Sequence, residues 1–178
     1  MKKRFVFSLI VVIILIVIIL NNRITINTIK TEIVKLTEEP INSETGTINN
    51  RYFNIYSDGN NPEETTKGIN NAIKYANKNN IKSIKFEKGF YKVENVNVKG
   101  NISRAIIMES NISIDWNGAN IEFVKNDKPI YAIISILGKD NIEIKNAILV
   151  GDKNEHIYDT NISKTHEWGN GIDIRGRK

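Results

Sequence analysis

The sequence predicts a mainly β fold in which short parallel strands stack as the rungs of a coil. Three observations predict it. One phrase returns three times, as NISIDWNGANIEF at residues 111–123, NIEIKNAILVGD at 141–152 and NGIDIRG at 170–176. Each copy sets isoleucines two apart and then a polar or glycine corner, the alternation that turns one face of a strand to a core and the other to solvent. A return after about 30 residues marks a stacked repeat. The segments also lie too close together for helical crossovers, and apart from Asn117-Gly118 their junctions lack tight-hairpin signals. A parallel coil, in which each rung pairs with the rung one turn later, satisfies both limits.

The N-terminus stands apart from this pattern. Residues 5–20 are apolar except for Ser8 and follow Met1, Lys2, Lys3 and Arg4 directly. Such a run is a targeting or anchoring segment, slightly shorter than the roughly 20 residues of a comfortable membrane span. No pair of small residues spaced for a signal peptidase follows Leu20. An uncleaved anchor is therefore favoured over a secretory signal, with the positive N-terminus inside and the rest of the chain outside. The expected divisions are a signal peptide or signal anchor at 1–22, a polar linker at 23–50 and the β domain from 51 to 178. The expected location is the cell membrane with the domain outside, or the exterior if the segment is cleaved.

Along the domain, RYFNIYSDG at 51–59 alternates like a strand and ends in an Asp58-Gly59 turn. Asn61, Pro62, Glu63 and Glu64 supply an N-cap, a proline at the first helical position and a capping carboxylate. The helix they open carries Ile69, Ala72, Ile73 and Ala76 on one face and ends at Asn79 and Asn80. Strand segments follow at 83–86, 90–98, 105–108, 112–115, 120–124, 132–137, 142–145 and 147–150.

The 178 residues, 40% of them hydrophobic, suffice for one domain with a core. The net charge of +5 is not a nucleic-acid signature. Lys2, Lys3, Arg4 and Arg23 carry four positive charges and Arg175, Arg177 and Lys178 carry three, so Ile24 to Ile174 hold a net −2. Cysteine is absent, which excludes disulfides, thiolate zinc sites and a cysteine nucleophile. No phosphate-binding glycine loop, HExxH or GxSxG motif occurs.

Three segments together resemble a known family. Asp58-Gly59, the helix segment Gly68-Ile69-Asn70-Asn71-Ala72-Ile73, and Phe86-Glu87-Lys88-Gly89-Phe90-Tyr91 are similar to the opening of the pectate lyase superfamily. The closest likeness is to its glycoside hydrolase family 28-like and rhamnogalacturonase or epimerase-like members. Glu87 stands where that family has proline, and Asn79-Asn80 where it has Gly-Gly. The likeness runs from about Tyr52 to Lys178. It implies a right-handed parallel β-helix with an N-terminal capping helix, in an exported or membrane-anchored protein acting on a polysaccharide or surface glycan. The scaffold serves hydrolases, lyases and non-catalytic surface modules alike, so the reaction is not implied by the fold.

The richest polar stretch is 151–176, which holds both histidines. Residues 153–170 are expected to form a loop on the flank of the coil, where sites tend to sit. Asp152 and Glu167 are candidates for paired-carboxylate chemistry on a glycosidic bond. His156 is a candidate proton-transfer group. Trp168 suits a sugar-stacking platform, with His166 and Arg175 as further substrate contacts and Arg175 as the partner of a uronate. Asp152, Glu155 and Asp159 are candidate calcium ligands; no other cofactor is indicated. The bland reading makes residues 167–171 a re-entry turn, with Trp168 covering the edge of the core.

Elsewhere the structural readings dominate. Asp58 fixes a turn, Asn111 and Asn141 form a corner ladder, and Trp116 is a turn-flanking aromatic without an assignable partner. The sequence stops just after the third phrase begins a rung, so the expectation is an N-terminal part of a longer protein, inactive on carbohydrate by itself.

Overall fold

The computed structural model describes residues 19–20, 22–30, 32, 38–99, 102–126, 130–155 and 168–176. The chain divides into two units, Met1–Glu38 and Glu39–Lys178. In the first, residues 22–30 are helical (α1), with Ile24, Ile26 and Ile29 exposed. No helix among the described residues is long and apolar enough to cross a membrane. The expected anchor at 5–20 lies outside the described residues except for Ile19 and Leu20.

The second unit is mainly β. Two short sheets are built from strands that alternate between them along the chain. The first sheet holds β1 (Ser83–Lys85), β2 (Phe90–Val93), β5 (Ile112–Phe123) and β7 (Ile142–Val150). The second holds β3 (Asn97–Lys99), β4 (Ile102–Ile107), β6 (Ile130–Leu137) and β8 (Trp168–Arg175). Every pairing is parallel except β3 with β4. Ser83 pairs with Ser113 and Ser113 with Glu143, a step of 30 residues, which shortens to 28 between β5 and β7 beyond the bend, where Ala119 pairs with Ala147.

Equal register stacks like on like. Ile84, Ile114 and Ile144 fall in one inward column, and Phe86 and Trp116 lie ring on ring at 4.1 Å and 8°. Trp116, expected to flank a turn without a partner, is fully buried, with Tyr91 against its edge at 6.1 Å. The segments 112–115 and 120–124 join into the single bent strand β5, because Asn117 and Gly118 take left-handed conformations and carry the bend within the strand. Asn146 bends β7 in the same way, at φ 54°.

The Asn111 and Asn141 ladder is present. Both residues are left-handed, and the Asn141 amide donates to the Asn111 carbonyl oxygen at 2.9 Å. A second rung of polar contacts lies at the next corner, where Asp115 accepts from Asn117 N–H at 2.8 Å and from the Asn146 amide at 2.9 Å. Asp58 acts as the turn residue expected of it, accepting from the backbone and side chain of Asn60.

The third phrase behaves differently from the first two. Ile172 and Ile174 pair with Ile134 and Ile136 of β6, which places NGIDIRG in the second sheet instead of continuing the first. Residues 168–170 are strand as well, so neither the loop expected to run to Asn170 nor the re-entry turn expected at 167–171 extends past residue 167.

The leading edges of the two sheets are closed by several devices. Helix α3 (Pro62–Lys78) buries Ile69, Ala72, Ile73 and Ala76 as its spacing predicts. Asn61 is left-handed and makes no side-chain cap, contrary to the expected capping role; Pro62 does begin the helix. Asn70, 6% exposed, donates its amide to Ala105 O at 2.8 Å and accepts from Ile107 N–H at 2.8 Å. Its side chain thereby occupies the place of one strand residue along the edge of β4. Thr66 accepts from Glu94 N–H at 2.9 Å just beyond β2.

Residues 39–50, expected as linker, belong to this closure. Ile41 and Ile48 are buried, and Ile48 N–H and Gly46 O bond Lys85 O and N–H at 2.9 Å, covering the edge of β1. The short helix α2 (Asn50–Phe53) follows, and Ser57 O takes Phe90 N–H at the edge of β2. A Cβ on Gly68 would lie 2.3 Å from Phe53 O, so only glycine lets α3 approach this closely.

Replacing Gly68 by Ala should destabilise the unit by roughly 1–3 kcal/mol, the usual cost of overpacking, read as a lowered urea midpoint. Asp115 is held below the ordinary carboxylate value by the Asn146 amide and Asn117 N–H. A lowered folded value favours the folded state above the unfolded pKa, and that contribution disappears as pH falls below about 4. Asp115→Asn should accordingly flatten the acid limb of a thermal-melt pH profile.

Candidate functional site

The polar segment singled out in the sequence leaves β7 and returns at β8, and both roots pack around one side chain. A Cβ on Gly151 would lie 2.7 Å from the Tyr131 hydroxyl oxygen, and one on Gly169 2.7 Å from the same atom. Two glycines therefore make room for the phenol, whose ring stacks on Phe123 at 4.7 Å and 16°. Beside it, Asp152 is 1% exposed and accepts from Asn126 N–H at 3.1 Å and from the Asn126 amide at 2.9 Å through a single oxygen. This candidate catalytic carboxylate is a pin between the chain leaving β5 and the chain leaving β7.

Arg175 is also engaged within the chain. Its Nε donates to both oxygens of Asp173 at 3.0 Å, and its carbonyl accepts from Gly138 N–H at 2.8 Å. Trp168 opens β8 opposite Ile130. His156, His166 and Glu167 lie outside the described residues. So does Asp159 of the expected calcium set, whose member Glu155 is exposed on a short 3-10 turn, Lys153–Glu155. Among the described residues no three His, Asp or Glu side chains are grouped to hold a metal. The expected constellation is thus represented by its roots, and the described members meet partners from their own chain.

A different feature emerges at the start of the first-sheet strands. A shallow furrow of about 440 Å³ crosses three successive rungs, lined by Lys82, Asn111, Ser113, Asn141 and Glu143 together with Ile112 and Ile142. Ser113 donates to Glu143 at 2.7 Å, and Lys145 Nζ lies 2.9 Å from the same carboxylate. Lys145 first and Ser113 second hold Glu143 below its ordinary value, so it stays ionised at neutral pH. A second depression, about 500 Å³, lies between residues 41–46 and residues 81–83 and shares Lys82. Together they make a track in which amides, a hydroxyl, a carboxylate and an ammonium are interspersed with the edges of Ile41, Ile81, Ile112 and Ile142. None of Lys82, Ser113 or Glu143 stands out in the sequence, although the 30-residue spacing of Ser113 and Glu143 would align them.

No family model matches the chain, and no solved structure matches it. Two curated relatives from Bacillus subtilis (strain 168) are similar. The SPbeta prophage-derived uncharacterized protein YorA is 34% identical over 126 residues, covering 66% of this chain and 21% of YorA. The uncharacterized protein YclG is 27% identical over 136 residues, covering 72% of this chain and 23% of YclG. The chain spans less than a quarter of the length of either relative.

Asp152→Ala should lower unfolding stability by roughly 1–3 kcal/mol, because it removes the acceptor of two Asn126 donors. Asp152→Asn, which keeps an acceptor oxygen, should lose less. An unchanged urea midpoint for the alanine variant would remove Asp152 from this structural role.

Proposed function

We propose that the second unit is the capped start of a right-handed parallel β-helix of the pectate lyase type. In this reading it is carried on the outer face of the membrane by residues 5–20, or secreted, and works on a polysaccharide or surface glycan. The observation that carries the reading is the polar track across successive rungs of in-register parallel strands. Strands about 4.8 Å apart present hydrogen-bonding groups in a regular row, and an extended polymer rich in hydroxyls matches a row better than a compact ligand does. Alternation between two parallel sheets, closed at one end by a helix, supports the coil.

Within this class the described residues favour binding over catalysis. Asp152 is buried against Asn126, which does not suit acid-base work on a glycosidic bond, whereas Arg175, bonded to Asp173 through Nε, keeps a half-exposed guanidinium suited to a binding contact. The track, by contrast, is open. The non-catalytic reading, a glycan-binding β-helix module, therefore stands first for this chain. The enzymatic reading places the chemistry on segments beyond the described ones.

The test uses the full chain in detergent against a panel of neutral and uronic polysaccharides. Saturable binding to at least one is expected, weakened about tenfold, or ~1.4 kcal/mol, by Ser113→Ala combined with Glu143→Gln. Neither new reducing ends nor unsaturated uronate absorbance should accumulate. Robust turnover would overturn the non-catalytic reading, and binding indifferent to the double variant would remove the track from the proposal.

A further inference from the structure

We infer that Asn117 is a site of spontaneous covalent modification, where the backbone nitrogen of Gly118 displaces the side-chain ammonia and leaves an aspartyl or isoaspartyl residue in the bend of β5. The inference is independent of the glycan reading and of whether the two sheets close into a coil. The reaction balances with water alone. The Gly118 amide gives its proton to solvent base, its nitrogen bonds to Asn117 Cγ, and the Cγ to Nδ2 bond breaks, releasing ammonia and closing a five-membered succinimide. Water then opens either carbonyl of the ring. Opening at Cγ yields aspartate, whereas opening at the main-chain carbonyl of Asn117 routes the backbone through the side chain as isoaspartate.

Such a step needs an unhindered attacking nitrogen, a free carboxamide and a backbone able to turn, and Asn117 meets all three. First, among the described left-handed asparagines, Asn54, Asn80, Asn111 and Asn141 precede isoleucine, Asn146 precedes alanine, and Asn61 precedes a proline without an N–H. Asn117 alone of this group precedes glycine, and a Cβ built on Gly118 would meet nothing within 4 Å. Second, Asn117 is exposed and its carboxamide makes no hydrogen bond among the described residues; only its backbone N–H is engaged, with Asp115. The corner amides of Asn111, Asn141 and Asn146 are all bonded. Third, neither ladder of β5 includes residues 116–118. Pairing with β7 passes from Asp115↔Lys145 to Ala119↔Ala147, and pairing on the opposite edge passes from Lys85↔Asp115 to Phe90↔Asn120. The Asn117-Gly118 peptide can therefore rotate toward the side chain with both ladders intact.

The same bend can accept the product. Between its ladder pairs with β7, β5 runs from 115 to 119 while β7 runs only from 145 to 147, so the added backbone atom of isoaspartate falls where no register is shifted. The new carboxylate adds a negative charge close to Asp115, which accepts the Asn117 N–H at 2.8 Å and the Asn146 amide at 2.9 Å. The chain also supplies its own control. Asn170-Gly171 is the other Asn-Gly pair in the sequence. Asn170 lies within β8 in register with Ala132, and a Cβ on Gly171 would sit 3.5 Å from Leu149. Rotation there requires β8 to come away from β6.

The test incubates the full chain, folded in detergent, in mildly alkaline water enriched in heavy oxygen, and follows Asn117 and Asn170 by digestion and fragmentation mass spectrometry. Asn117 should gain the mass of an amide-to-acid exchange that incorporates one heavy oxygen, and it should appear as separable aspartyl and isoaspartyl peptides. It should convert at least about tenfold faster than Asn170, whose paired strand must open first. In concentrated urea, where both pairs are free, the two sites should convert at similar rates. Equal rates in the folded chain, or conversion of Asn117 only in urea, overturns the inference. In Asn117→Gln the exchange should vanish from this peptide, because ring closure would then need six members. A mass gain that persists there places the reaction on another residue and overturns the assignment.

Discussion

A stack of parallel strands has to begin somewhere, and the first strands of any such stack expose backbone donors and acceptors along one edge. Here that edge is closed, and the hydrogen bonds of Asn70 are central to the closure. A primary amide carries one donor group and one acceptor group in nearly the arrangement of a peptide unit, so a helix can satisfy a strand edge through a side chain. Buried backbone groups left unpaired are costly, and the Asn70 amide spares β4 that cost at Ala105 and Ile107. Helix α3 reaches this position because Gly68 permits close contact with the carbonyl of Phe53. The hairpin bridging Ile41 and Ile48 and the turn at Ser57 finish the closure over β1 and β2.

Once one rung is fixed, equal spacing propagates the rest. Phe86 lies under Trp116, and Ile84 under Ile114 and Ile144, because 30 residues separate like positions in the first sheet up to its bend. That regularity was legible in the sequence, as were helix α3 and the roles of Asp58, Asn111 and Asn141, since each follows from periodicity or local turn chemistry. Other features depend on contacts that local pattern does not encode. Alternation says that Ile172 and Ile174 share a face, but not which of two sheets they join. Two apolar residues at 41 and 48 have no period, so a capping hairpin reads as linker. Asn70 looks like a polar interruption of an apolar helix face until its β4 partners are known.

The candidate site divides along the same line. The segment around Asp152 attracts attention through its concentration of acids and histidines, yet Asp152 is held by Asn126, 26 residues away. Arg175 is set by a neighbour two residues back, a contact that strand alternation allows. The polar track has the opposite character. Its members are individually ordinary, and only register makes them neighbours. Its central carboxylate is matched locally, Glu143 by Lys145. Recognition along such a surface rests on direction and spacing of hydrogen bonds more than on net charge, and it should tolerate salt better than a phosphate-binding face would.

The second sheet varies its step more widely than the first, which changes only from 30 to 28 residues at the bend. Residue 130 pairs with residue 102, a step of 28, and residue 168 pairs with residue 130, a step of 38. The extra length is taken up entirely between β7 and β8, while Ile134 still meets Ile172 in the same alternation. Lengthening a loop whose ends are already fixed costs little more than a logarithm of its length. The stretch between β7 and β8 is therefore a place where residues can be inserted or removed while the pairing of Ile134 with Ile172 is kept. Variation in reach and specificity can accumulate there while the stack stays unchanged.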